Sequence, residues 1–166
     1  MSTTKNIQST VKLVISILTC QLVGMVTVFS TQPESNYWYN RVVIPFWKFP
    51  IYFFDPVWTI LYFLMGISIW MIWISGKHKS MKKYTILIFG IQLFLSALWS
   101  LLFFNFHAQS LALFIILLLV VFLAFCIIEF FKISKMAAFL LVPSLLWVCF
   151  EAVLNFKILF LSNYNC

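Results

Sequence analysis

The chain has 166 residues, 64% of them hydrophobic and 9% charged, with a net charge of +7. This leaves no room for a soluble domain and describes one membrane domain over residues 1–166. The cations flank apolar runs and form no basic face with base-stacking aromatics, which argues against nucleic acid as a partner.

The first uncharged stretch lies between Lys12 and Glu34, 21 residues with Lys5 and Lys12 before it. It is long for a signal-peptide core and has no small-x-small cleavage site before Gln32, so it reads as a spanning helix over about 11–30. A bilayer core is about 30 Å thick and needs roughly 20 helical residues to cross. Four further runs follow. They are 21 residues between Asp55 and Lys77, 23 between Lys83 and His107, 21 between His107 and Glu129, and 15 from Lys135 to Glu151 with a continuation past Lys157. The predicted helices are about 54–75, 84–105, 109–130 and 136–161. Continuous rather than alternating apolar runs select helices over a barrel, so the fold class is an all-α bundle of five transmembrane helices. Short loops predict that helices 2 and 3, 3 and 4, and 4 and 5 are antiparallel neighbours.

Residues 32–53 form the one long loop, with Tyr37, Trp38, Tyr39, Trp47 and Tyr52 among Pro33, Pro45 and Pro50. Prolines lower the entropy of an irregular segment and rings give it packing surface. This loop reads as a lid over the bundle mouth, the alternative being an interfacial aromatic belt. One side of the membrane carries eight cations, Lys5, Lys12, Lys77, Lys79, Lys82, Lys83, Lys132 and Lys135, and the other three, Arg41, Lys48 and Lys157. In a bacterial inner membrane this places the N-terminus in the cytoplasm; an organellar outer membrane is the alternative setting.

Polar groups inside lipid are costly, so they carry the functional signal. In helix 2, Asp55, Trp58 or Thr59, Tyr62 and Gly66 recur at helical spacing. Gln92, Ser96, Trp99 and Phe103 do so in helix 3, and Trp147, Glu151 and Asn155 in helix 5, starting a turn after Pro143. Three such stripes, each pairing large rings with hydrogen-bonding groups, suit a pocket for a large flat ligand. The plainer alternative is interhelical hydrogen bonding alone. Glu151 must be protonated, paired (Lys157 is near in sequence) or hydrated. Cys20, Cys126, Cys149 and Cys166 show no metal or disulfide spacing, and those inside the runs read as small buried hydrophobes. His78 and His107 are lone loop histidines, and no catalytic constellation or metal site is expected.

Several motifs resemble one family. Pro56-Val57-Trp58-Thr59-Ile60-Leu61-Tyr62 is similar to the PVWTxLY signature of the tryptophan-rich sensory protein family, TspO, also called translocator protein or peripheral-type benzodiazepine receptor. Gln92 through Phe104 resembles its QxxLNxxWSxLFF stretch, and Leu141 through Asn155 its LVPYxxWxxFAxxLN. Trp38-Tyr39 and the segment Pro45 to Pro50 match its WY pair and KPSWxPP loop. The resemblance runs from about residue 20 to 160. It implies a five-helix bundle, usually a homodimer, with a pocket under the first long loop. By the same resemblance, the pocket is expected to bind porphyrins, including haem and protoporphyrin, as ligands rather than as an obligatory cofactor. Carried over by motif, the ligand-binding residues are Trp38, Trp47, Trp58, Tyr62, Trp99, Phe103 and Trp147, with Asn155 as a polar neighbour; Glu151 joins them by its spacing.

The chain departs from the family pattern at Ser96 for Asn, Leu101 for Pro, Ser144 for Tyr, Glu151 for Ala, and Phe46 and Phe49 in the loop. A sterol motif would need a basic residue after a tyrosine near the C-terminus. Tyr164 is followed by Asn165 and Cys166, which argues against sterol binding. The leading reading is a membrane receptor or sensor for porphyrins. The alternatives are a transporter of porphyrin or other amphipathic molecules, and an enzyme that degrades porphyrin in light, an activity the resemblance associates with some bacterial members.

Overall fold

The computed structural model describes residues 2–30, 54–76 and 79–164, without the side chains of residues 2–5, 30, 79 and 161–164. The helices are α1 (Ser2–Ser30), α2 (Phe54–Ile74), α3 (Lys79–Ser100), α4 (Gln109–Ile133) and α5 (Lys135–Tyr164), with a π-helical turn, Leu101–Asn105, continuing α3. All five are long and apolar enough to cross a membrane. They follow the predicted runs and extend past several of them, because backbone hydrogen bonding continues into the polar flanks. Pro143 leaves α5 unbroken, as membrane helices tolerate proline where neighbouring helices surround it. Between α4 and α5 the chain turns at Ser134, whose hydroxyl accepts the Ala137 N–H at 3.4 Å and so caps the start of α5.

Contacts between helices define a ring in the order α1, α2, α5, α4, α3, with α3 closing on α1. The expected neighbours α3/α4 and α4/α5 are found. Helices α2 and α3 are instead set across the interior from each other, their backbones apart despite the short connection. The space between them is filled by the buried side chains of Trp58, Tyr62, Met65 and Trp99. α1 gains its place beside α2 through two glycines. A Cβ at Gly66 would stand 2.8 Å from the Ile17 Cα, and one at Gly24 would stand 2.6 Å from Tyr62 Cδ2. Lipid provides no hydrophobic drive between helices, so close backbone approach and interhelical hydrogen bonds hold them. Gln21 Nε2 donates to the Thr59 carbonyl at 3.1 Å, Trp70 Nε1 to Ser9 at 3.0 Å and Ser68 Oγ to Ala137 at 2.7 Å.

Large apolar side chains such as Leu22, Phe94, Phe114, Phe139 and Leu146 point outward, as a lipid-facing surface requires. Cys20 and Cys126 are buried as expected of small hydrophobes, whereas Cys149 is exposed on the outer face of α5. Thr59 is likewise exposed, so Trp58 continues the inward stripe of α2.

Candidate functional site

Helical spacing brings the three stripes to one place, in the half of the bundle that holds the end of α1, the start of α2 and the end of α3. Trp58, Tyr62, Trp99 and Phe103 are each buried, as are Glu151 and Asn155. Trp58 stacks on Tyr62 at 5.2 Å between ring centroids, and Trp99 on Phe103 at 5.4 Å. Trp58 and Trp99 face each other across the α2–α3 gap at 6.4 Å. Phe54, which sequence reasoning did not single out, links the cluster to α5. Its ring stands edge-on to Trp147 at 5.6 Å and to Phe104 at 6.4 Å. Trp38 and Trp47 lie outside the described residues.

Each polar group of the cluster has a geometric explanation or a conspicuous lack of one. Trp58 Nε1 donates to Glu151 Oε1 at 2.9 Å. Glu151 is thus paired with an indole of the neighbouring helix α2, while Lys157 is exposed on the outside of α5. Tyr62 shares hydrogen bonds with Ser96 Oγ and with Thr27 Oγ1 of α1, the latter at 3.2 Å. Asn155, with its amide turned to satisfy both ends, accepts from Trp99 Nε1 at 3.3 Å and Leu113 N at 3.2 Å, and donates to the Gln109 carbonyl at 3.2 Å. It therefore ties α5 to the start of α4 and fixes the Trp99 ring. Two of the departures from the family pattern, Ser96 and Glu151, bond directly to the signature residues Tyr62 and Trp58.

What remains unsatisfied is concentrated on α5. Glu151 Oε2 and Trp147 Nε1 are buried, and the indole N–H is directed at the carboxyl group one helical turn away without completing a well-formed hydrogen bond. An acceptor and a donor one helical turn apart offer two polar anchors beside a bank of rings. Gln92 Oε1 on α3 and Ser144 Oγ on α5 are buried and unpartnered as well. Among the described residues no cluster of His, Cys, Asp or Glu forms a metal site.

The π-helical turn shapes the end of the site. The Phe106 N–H reaches the Leu101 carbonyl at 3.1 Å, and His107 adopts φ 51°, in the left-handed region. This widened turn holds Phe103 and Phe104 buried side by side, with rings edge-to-face at 4.9 Å. It begins at Leu101, where the resemblance expects proline. Thr27 and Gly24 were missed by sequence reasoning, although Ser16, Cys20, Gly24 and Thr27 recur at helical spacing along α1 and are all buried.

The TspO/MBR family model matches residues 16–161. The chain is 38% identical over 152 residues to the tryptophan-rich protein TspO of Archaeoglobus fulgidus, covering 91% of this chain and 97% of that one. It is 36% identical over 143 residues to the protein of the same name from Chlorobaculum tepidum, covering 86% and 90%. Human translocator protein is 30% identical over 124 residues, covering 74% and 73%. With five spanning helices and the signature residues gathered in one buried cluster, the chain is a multi-pass integral membrane protein that belongs to the TspO/MBR family.

Proposed function

We propose that the protein is a membrane receptor or sensor that binds a porphyrin, haem or protoporphyrin, against its aromatic cluster. The observation that carries this reading is the pair of buried polar atoms on α5, Trp147 Nε1 and Glu151 Oε2, whose mutual contact falls short of a full hydrogen bond, beside the rings of Phe54, Trp58 and Trp99. A macrocycle presents a flat apolar face to the rings and carboxylates to the polar atoms. The Trp147 N–H donates to such a carboxylate directly, and Glu151 donates when protonated. Trp58, Tyr62 and Asn155 already bond within the protein, so they hold the walls rather than the ligand's polar groups. The ligand is not an obligatory cofactor in this reading, and the protein works as a homodimer in the bilayer.

The test is a titration of purified protein with protoporphyrin, followed by tryptophan fluorescence in the dark and product analysis under light. Saturable quenching with the porphyrin intact supports the receptor. Consumption of porphyrin under light supports the enzyme reading instead, for which the closely set Trp58, Tyr62 and Trp99 rings are suited to pass an electron. Accumulation of porphyrin inside protein-containing vesicles supports the transporter. Absence of saturable quenching overturns all three.

A further inference from the structure

At the opposite end of the bundle from the aromatic cluster, α1, α2 and α3 leave a hollow. It has a volume of about 360 Å³ and is lined by Ser16, Cys20, Ile69, Trp73, Phe89 and Leu93 among others. That lies within the roughly 300–1,000 Å³ of ligand pockets. Trp73 and Ile86 also border an adjoining hollow of about 350 Å³, whose other walls are Lys12, Lys82 and Lys83. An apolar crevice therefore opens into a mouth of three lysines.

The charges there are poorly compensated. Among the described residues no carboxylate lines either hollow. Glu129 is ion-paired with Lys132, and Asp55 and Glu151 belong to the other half of the bundle. Lys82 Nζ spends one of its three N–H groups on the Ser75 carbonyl at 2.8 Å, and Lys12 Nζ sits 5.8 Å from the centre of the Trp73 ring. Independent of the lysines, Ser16 points to a ligand. It lines the crevice, is 4% exposed, and its hydroxyl has no hydrogen-bond partner. A helical serine or threonine usually satisfies itself on the carbonyl four residues back, as Thr19 does on Ile15 at 2.8 Å. Ser16 lies one helical turn beyond Lys12, about 6 Å deeper at 1.5 Å per residue.

We propose that this crevice is a binding site for one anionic glycerophospholipid of the surrounding leaflet. The phosphate sits among Lys12, Lys82 and Lys83. A glycerol ester carbonyl, one turn deeper, accepts from the Ser16 hydroxyl, and the acyl chain follows Cys20, Phe89 and Leu93. Basic hollows between spanning helices recognise anionic headgroups in this way. A second copy of the chain is the less suitable occupant, because closing two such mouths together sets lysine against lysine.

The experiment compares phosphatidylglycerol and phosphatidylcholine carrying identical brominated acyl chains, added to the full-length protein in detergent. Native mass spectrometry reads retention, and tryptophan quenching reads location. Phosphatidylglycerol is expected to be retained about tenfold better, a difference of about 1.4 kcal/mol, because the lysines favour a net negative headgroup over a zwitterionic one. The double substitution Lys12→Gln with Lys83→Gln removes that preference, Ser16→Ala weakens retention of phosphatidylglycerol, and Trp73→Phe abolishes its excess quenching. Equal retention of the two lipids by the wild-type protein overturns the proposal without reliance on any variant. So does a preference that survives the double substitution, or displacement of the lipid by millimolar inorganic phosphate, which marks a site for free phosphate. A change of oligomeric state in the lysine variants without lipid preference assigns the face to a second copy and overturns it too.

Discussion

Trp58 Nε1 and Glu151 Oε1 are 2.9 Å apart although 93 residues separate them in the chain. This bond joins α2 to α5 inside the bundle, and its two ends are unequal in what they leave behind when cut. Replacing Trp58 by Phe deprives a buried carboxyl group of its donor, and Glu151→Leu strands an indole N–H. Each single change is expected to lower stability by about 1–3 kcal/mol. The double variant removes both polar groups and is expected to cost less than the sum. Thermal unfolding in detergent closes the cycle, and strictly additive losses mean that the bond contributes nothing.

Trp147 is only partly buried, yet its N–H is enclosed and directed at the Glu151 carboxyl group, short of a well-formed hydrogen bond. Trp147→Phe removes that weak contact while Trp58 still donates to Glu151, so only a small loss of stability is expected. Protoporphyrin binding is expected to weaken about tenfold, the low end of the range for a hydrogen bond to a charged group, about 1.5 kcal/mol. Trp99→Phe makes the contrast, because it removes one of the two donors to the Asn155 carbonyl and is expected to reduce stability as well. Unchanged affinity in Trp147→Phe places the porphyrin elsewhere.

Glu151 gives the site a pH dependence of definite sign. Protonated, it donates to a porphyrin carboxylate; ionised, it repels one. Affinity is therefore expected to fall as pH rises through the titration of Glu151, and Glu151→Gln is expected to flatten the profile. Tyr62, the other ionisable side chain packed on Trp58, is tied to Ser96 and Thr27, so Tyr62→Phe serves as the control. Identical profiles in wild type and Glu151→Gln would leave Glu151 a purely structural partner of Trp58.

The bundle and much of the site were legible because helical periodicity in lipid is read directly from uncharged runs and from the few polar residues within them. Trp58, Tyr62, Ser96, Trp99, Glu151 and Asn155 fall on their inward faces as spacing requires. Which partner each would choose was not legible. Glu151 bonds to Trp58 rather than to Lys157, since the ring order sets α2 beside α5, and nothing in a short loop reveals that α2 and α3 stand apart. The π-helical turn at Leu101–Asn105 left no mark either, as the apolar run passes through it unchanged. The stripe on α1 ending at Thr27 was readable and was overlooked because it contains no aromatic residue.

At Gly66 α2 lies tight against α1, and the missing Cβ would meet the Ile17 backbone rather than a movable side chain. Gly66→Ala therefore forces α1 away from α2, with an expected loss of about 1–3 kcal/mol typical of overpacking. Gly24→Ala has a different consequence. The new methyl group presses on the Tyr62 ring, which is held by Ser96 and Thr27 and stacked on Trp58. Part of the strain is expected to pass into the site, so Gly24→Ala should weaken porphyrin binding more than Gly66→Ala at equal stability loss. Thermal unfolding and fluorescence titration of the two variants separate these effects. Equal loss of affinity in both would mean that Tyr62 is not the route by which α1 reaches the site.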